Sequence, residues 1–145
     1  MANTFIIPIQ VRWADLDPNY HVRHSVYYDF GAYSRICFLN DNDITSSFMA
    51  EHHFGPILFR EECIFRREIK LGDTVTIDLQ LLKAKQDLSR WSFQHLIHRN
   101  NEHAATLNLD GAWIDTLKRK LTIPPELVFS TFERMPRAEN FEWIK

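Results

Sequence analysis

The sequence predicts an α+β domain: a long, curved antiparallel sheet of about five strands wrapped around one central helix. Three observations lead there. The run Ser25 to Asn40 carries helical spacing. One run before it and four after it alternate apolar and polar side chains with period two. Short turn signals join the later runs, as antiparallel neighbours require. The sixteen residues from 25 to 40 make a rod of roughly 24 Å, and strands of ten or more residues reach over about 30 Å, enough to curl around it. This is one layer of helix on one layer of sheet.

Thr4 to Trp13 reads as a half-buried strand, with Phe5, Ile7, Ile9, Val11 and Trp13 on one face. Pro8 has no N–H to donate, so this strand has an edge there or lies on one. Asp15 to Arg23 is a loop whose turn signal is Pro18-Asn19. In the helix that follows, Val26, Phe30, Tyr33 and Cys37 form one stripe, and Tyr27, Gly31, Ser34 and Phe38 the next. So wide an apolar arc predicts a helix surrounded by protein. Gly31 costs about 1 kcal/mol against Ala unless close packing needs it.

Asp41 to Gly55 reads as irregular, with one short helical turn around Phe48 to His52. Ile57 to Lys70 follows as a strand with Ile57, Phe59, Cys63, Phe65 and Ile69 inward. Leu71-Gly72-Asp73 turns into Thr74–Lys83, with Val75, Ile77, Leu79 and Leu81 inward. Gln86 to Ser89 turns back into Arg90–Arg99, with Trp91, Phe93 and Ile97 inward. Asn100 to His103 is a hairpin leading to Ala105–Asp115, with Leu107, Leu109, Gly111 and Trp113 inward. In the tail, about 116–145, Lys118-Arg119-Lys120 is a basic cluster, and Pro124-Pro125-Glu126 opens a short surface helix over Leu127 to Arg134. With no repeat or interdomain linker in view, residues 1–145 read as a single domain.

Composition narrows the function classes. The 145 residues are 45% hydrophobic, 25% charged and 13% aromatic, with net charge −2, which is the profile of a soluble globule. No basic patch invites nucleic acid, and no apolar run nears the ~20 residues of a membrane span. MANTFIIPIQ lacks the basic start and long apolar core of a secretory leader. Cys37 and Cys63 sit in apolar patterns and read as buried thiols of a reducing compartment, so the expected location is cytoplasmic.

Titratable residues crowd the turn before the helix: Asp15, Asp17, His21 and His24 fall within ten positions. Their spacing fits no zinc signature, so no metal is expected. His95 and His98, three apart on one strand, face opposite ways and cannot share an ion. Glu61 has inward parity, and a twist or bulge turning it outward is the favoured reading, since an inward carboxylate is costly unless paired. His95 shares the inward face of Trp91 and Phe93 and is read as a hydrogen-bonded core histidine.

The ordered set Asp15-Leu16-Asp17-Pro18, His24, Tyr27, Phe30 and Arg35 resembles the opening of hot-dog-fold acyl-CoA thioesterases of the 4-hydroxybenzoyl-CoA thioesterase type. The Gly72-Asp73 turn, Trp91-Ser92-Phe93-Gln94 and Ile123-Pro124 agree with it, so the likeness runs from Thr4 to about Pro125. The chain departs from the pattern at Asn19-Tyr20-His21, where many relatives carry glycines, and at Ala32, where relatives often carry Glu. The resemblance implies hydrolysis of an acyl-CoA to a free acid and coenzyme A, the latter entering only as part of the substrate. A non-catalytic acyl-CoA-binding protein on the same fold is the alternative. Within the resemblance, Asp17 acts as nucleophile or as general base, against its plain reading as a turn cap. Asp15 holds the loop, and His24, with His21 as rival, stands beside the substrate. Arg90 at the start of the fourth strand, with Lys118 and Arg119, is the candidate grip on the coenzyme A phosphates. A homodimer or dimer of dimers, paired edge to edge with the site between subunits, is expected.

Overall fold

A computed structural model describes residues 3–145; Met1 and Ala2, the first two positions of the stretch read above for a leader, lie outside the described residues. In chain order the elements are β1 (Ile6–Ile9), α1 (Val26–Asp41), α2 (Ser46–Glu51), β2 (Phe54–Phe65), β3 (Val75–Asp78), β4 (Gln80–Ala84), β5 (Arg90–Arg99), β6 (Glu102–Asp115), β7 (Lys120–Leu121), α3 (Glu126–Arg134) and β8 (Arg137–Trp143). The sheet runs β2–β6–β5; then β3 and β4 follow one another along β5, β1 lies outside β3, and β8 lies outside β4. All neighbours are antiparallel except β4 and β8. The sheet curls around α1, which is the hot-dog architecture.

The two central strands make the core. Alternation on β5 and β6 sends Ile97, Leu107 and Leu109 inward to zero exposure, joined by Ile77 of β3. Burying each such side chain is worth roughly 1.5–3 kcal/mol. Gly31 lets α1 sit directly on them: a Cβ there would meet Leu107 Cδ1 at 2.8 Å and Arg35 Nη1 at 3.0 Å. Gly111 serves the same end on β6, where a Cβ would collide with the Trp91 ring. The ring lies over a position that carries no side chain.

Each long run read as a strand is present, as is the central helix. The sheet gains β7 and β8 from the tail, where no strand was predicted, and one more segment where a run breaks. Thr74–Lys83 divides at Leu79, whose N–H donates to the Phe5 carbonyl at 3.2 Å. The strand Thr4–Trp13 ends at Ile9, because Arg12 and Asp15 bond each other's backbone and wind Trp13–Asp15 into one turn of 3-10 helix. Trp13, expected inward, is therefore 70% exposed.

A bulge corrects the face of β2. Leu58 pairs Gly111 but Arg60 pairs Asp110, leaving Phe59 as an extra residue. Pro56 and Leu58 share the inward face of Trp113 and Gly111, so Ile57 and Phe59 lie outside. Beyond the bulge Glu61, Cys63 and Phe65 oppose the inward residues Leu109, Leu107 and Ala105. Glu61 thus faces inward, against the expectation, and it is paired: Arg35 Nη2 lies 3.5 Å from its Oε2. The strand also stops at Phe65, short of the predicted Lys70.

Three further expectations change. The central helix is not surrounded: Asp29, Ala32, Tyr33, Ile36 and Asn40 form an open face. The tail helix is not a surface helix, since Val128 and Phe132 of α3 are buried and Phe132 packs near Phe93 and Trp113. Both cysteines are half-buried, and burial pushes the Cys63 thiol up to about 12.

Candidate active site

The loop before α1 is stitched by its own side chains. Asp15 is buried and takes a two-pronged ion pair from Arg12, with Nη2 to Oδ1 at 2.7 Å and Nε to Oδ2 at 3.3 Å. That guanidinium holds the Asp15 carboxyl below the usual carboxylate range. Asp15 is the loop's anchor, as expected. Its carbonyl also accepts from Arg23 N at 2.9 Å, and Val22 N donates to the Ile69 carbonyl at 2.8 Å, tying the loop to the segment after β2.

Asp17 is held differently. Its Oδ1 accepts from Asn19 N at 2.9 Å and His21 N at 3.1 Å, while Oδ2 makes no hydrogen bond among the described residues. It is both a turn cap and a half-free carboxylate. It lines a cleft of about 330 Å³ with His21, His24, Tyr27, Phe65 and Arg66. His24 is exposed and makes no hydrogen bond among the described residues, whereas His21 Nε2 lies 3.1 Å from Glu68 Oε2. Tyr27 packs edge-on to Phe65, with ring centroids 4.9 Å apart, and burial pushes its hydroxyl up to about 12. The N-terminus of α1 opens at this cleft, and Ser25 does not cap it. Val26 N donates to the Arg23 carbonyl at 3.0 Å, and the next first-turn N–H groups, of Tyr27 and Tyr28, are left for a ligand oxygen.

The structure brings Asp17, His21 and His24 together and leaves the other candidates far off. Arg90 pairs Ala112, which pairs Ile57, whereas Phe65 at the cleft pairs Ala105. Seven strand residues separate those rows, roughly 23 Å. Arg90 lies exposed on the outer face, its Cζ 5.2 Å from the Phe59 ring centroid. Lys118 and Arg119 sit farther along, in the turn after β6, where their N–H groups donate to Asp115. Nearer the cleft, Arg66 and Arg67 were not singled out by sequence reasoning. Their signal was a doubled basic pair interrupting an alternating run, where Arg66 N and Arg67 N both donate to the Ala104 carbonyl.

His95 is the hydrogen-bonded core histidine expected. Its Nδ1–H donates to the Asp78 carbonyl at 2.6 Å, so Nε2 accepts from Arg35 Nη1 at 3.0 Å. Burial and the Arg35 charge drive it down to about 3, leaving the ring neutral. Among the described residues no three His, Cys, Asp or Glu side chains converge on a metal position, and no helix is long and apolar enough to cross a membrane.

Comparison with known proteins adds three solved structures of the same fold. A thioesterase complexed with coenzyme A and Zn from Thermus thermophilus is 25% identical, with a TM-score of 0.74 over 91% of this chain and 92% of that one. A hypothetical protein from Staphylococcus aureus in complex with CoA is 17% identical, with a TM-score of 0.82 over 95% and 90%. A 1,4-dihydroxy-2-naphthoyl-CoA thioesterase from Synechocystis is 17% identical, with a TM-score of 0.80 over 89% and 95%. A comparison with curated proteins returned no match. The thioesterase-like superfamily matches residues 11–129, most of the chain and the whole loop-helix motif, and this protein belongs to that superfamily.

Proposed function

We propose that this protein is an acyl-CoA thioesterase in which Asp17 acts on the thioester carbonyl. The carrying observation is the asymmetric clamp on Asp17: two backbone N–H groups fix Oδ1, and Oδ2 is left unbonded on the wall of a cleft. That oxygen attacks the carbonyl carbon or takes a proton from the attacking water; either role needs a fixed carboxylate. The open N-terminus of α1 supplies N–H groups for the developing oxyanion. His24, with an unengaged imidazole, orients water or the thioester, while His21 is drawn toward Glu68. Coenzyme A bound to two solved relatives supports the substrate class.

The working unit is a dimer paired through β2. Among the described residues this strand of 12 residues pairs only β6, and it leaves Leu58, Phe59, Ile64 and Phe65 exposed at 42, 53, 47 and 48%. A long apolar edge of this kind calls for another strand. An antiparallel two-fold pairing, centred near the middle of β2, brings its Leu58 end against the partner's Phe65 end. Arg90 then lies near the partner's Asp17, which removes the ~23 Å separation within one chain. Sedimentation should show the dimer, and Ile64→Glu should weaken it about tenfold or more, with activity falling in parallel. A fully active monomer would rule this pairing out.

The decisive assay compares cleavage of a panel of acyl-CoA esters by wild type and Asp17→Asn. Asn keeps an oxygen for the Asn19 and His21 N–H groups, so the loop survives while the carboxylate chemistry is removed. Equal rates in both proteins would reject the assignment. Tight CoA binding with no turnover of any ester by wild type would favour the non-catalytic binding protein.

A further inference from the structure

Four tyrosines occur in this chain, and one of them is buried. Tyr20 and Tyr33 are 65% and 54% exposed and Tyr28 is half-buried, whereas Tyr27, in the first turn of α1, is 3% exposed. Its ring is wedged. Phe65 of β2 stands edge-on to it with centroids 4.9 Å apart, and Phe30, one turn on, lies at 6.1 Å. A ring packed on two sides fixes where its oxygen goes.

A buried phenol normally finds a partner for its hydroxyl. The Tyr27 hydroxyl makes no hydrogen bond among the described residues, and it is not walled in either. The unbonded indole nitrogens of Trp91 and Trp113 are shut off from solvent, and the Tyr27 oxygen is not. The side chain lines the cleft shared by Asp17, His21 and His24, and its oxygen opens there. Burial first, then the neighbouring Cys63 and Glu68, push its ionisation up to about 12, so it is a protonated donor at any working pH. Asp17 Oδ2 is free on the same cleft, and the two groups do not bond each other. The hydroxyl and the N–H of the same residue stand a full ring apart, too far to share one ligand atom. The hydroxyl therefore serves an oxygen other than the one held at the α1 N-terminus.

We propose that the Tyr27 hydroxyl donates a hydrogen bond to an acceptor oxygen inside the Asp17 cleft, carried by the acyl-CoA itself or by the water that hydrolyses it. This rests on the reading of the cleft given above. No proton changes hands at Tyr27: the hydroxyl fixes the position of the oxygen, and Asp17 does the chemistry.

The test is Tyr27→Phe in the full chain, which removes one oxygen and keeps the packed ring. It is assayed on a panel of acyl-CoA esters and by binding of the acetyl-CoA analogue with CH2 in place of the sulfur, which is not cleaved. No protein group loses a partner, so the melting temperature should hold. If the oxygen belongs to the acyl-CoA, KM and the analogue's Kd should rise together by about tenfold, the worth of one hydrogen bond. If it belongs to the water, kcat should fall by about tenfold or more while the analogue binds as before. Unchanged KM, kcat and Kd overturn the proposal, whether or not the melting temperature falls. Where wild type cleaves no ester, the analogue decides alone: weaker binding to the variant upholds the contact, and equal or absent binding overturns it. The two readings fail separately. Asp17→Asn at full activity beside an impaired Tyr27→Phe removes the carboxylate role and keeps the hydroxyl; an inactive Asp17→Asn beside an unimpaired Tyr27→Phe does the reverse.

Discussion

The two ends of α1 make opposite environments from the same helix. At the Val26 end the wall is a loop, the space is open, and among the described residues Asp17 Oδ2, the His24 ring and the Tyr27 and Tyr28 N–H groups are unengaged. At the Leu39 end the walls are sheet and α3, the space is narrower, and the Arg35 guanidinium is the polar group of an aromatic shell. The first suits bond-making with water present; the second is an apolar recess. They lie about 12 Å apart along the helix, from Tyr27 to Arg35, and roughly 23 Å apart along β2. One chain keeps the two ends apart, and in the dimer proposed above the β2 edge brings one end against the partner's other end.

The largest expected effect breaks the open end alone. Asp17→Asn should lower kcat by about 10²–10⁴-fold while leaving the melting temperature as it is. If kcat and the melting temperature fall together, the substitution acts through the fold. Next comes Gly31→Ala, between the two ends, where the added Cβ would push on Leu107 at 2.8 Å. It should destabilise the fold by about 1–3 kcal/mol in urea titrations, since a packed core does not yield freely; no change would mean that α1 can lift from the sheet.

Asp78 sharpens the comparison through pH. Its carboxylate is part-buried, accepts from Leu96 N at 2.5 Å, and is pushed by burial up to about 6. A raised folded-state value favours the protonated form, so its stabilisation is complete below the ordinary value near 4 and is lost as pH rises through about 6. Asp78→Asn should therefore equal wild type in stability near pH 4 and exceed it at pH 7.5, by up to about 3 kcal/mol. A variant no more stable than wild type at pH 7.5 would show that the group is solvated. The smallest effect is expected from Arg90→Ala, which should raise KM for acyl-CoA about three- to tenfold with little change in kcat. An unchanged KM would leave Arg66 and Arg67, beside the cleft, as the phosphate grip.

How much was legible beforehand differs between the same two regions. The loop could be read because its signal is local: Asp15, Asp17, His21 and His24 lie within ten residues, and the last three line one cleft. Gly31 and His95 were also legible, each being costly in its place without a packing or bonding reason, and each having one. The recess at the Leu39 end was not legible. It is assembled from α1, β2, β4's neighbour Leu79, β5, β6 and α3, residues scattered from 35 to 132. Its inward wall also depends on the bulge at Phe59, which exchanges Phe59 for Leu58 and commits Glu61 to the interior. A one-residue slip reverses every face beyond it and leaves alternation looking intact.

By itself the sequence determined the order of the long strands and the central helix, the strand faces on β5 and β6, and the loop that carries Asp17, because period and turn chemistry act between near neighbours. Tertiary structure alone decided which side of β2 faces α1, that β8 returns to lie parallel to β4, that α1 keeps an open face, and that Arg90 and Asp17 sit at opposite ends of the sheet. Those depend on register between strands dozens of residues apart. Register is set by the sum of many weak side-chain fits, and no short stretch of sequence displays that sum.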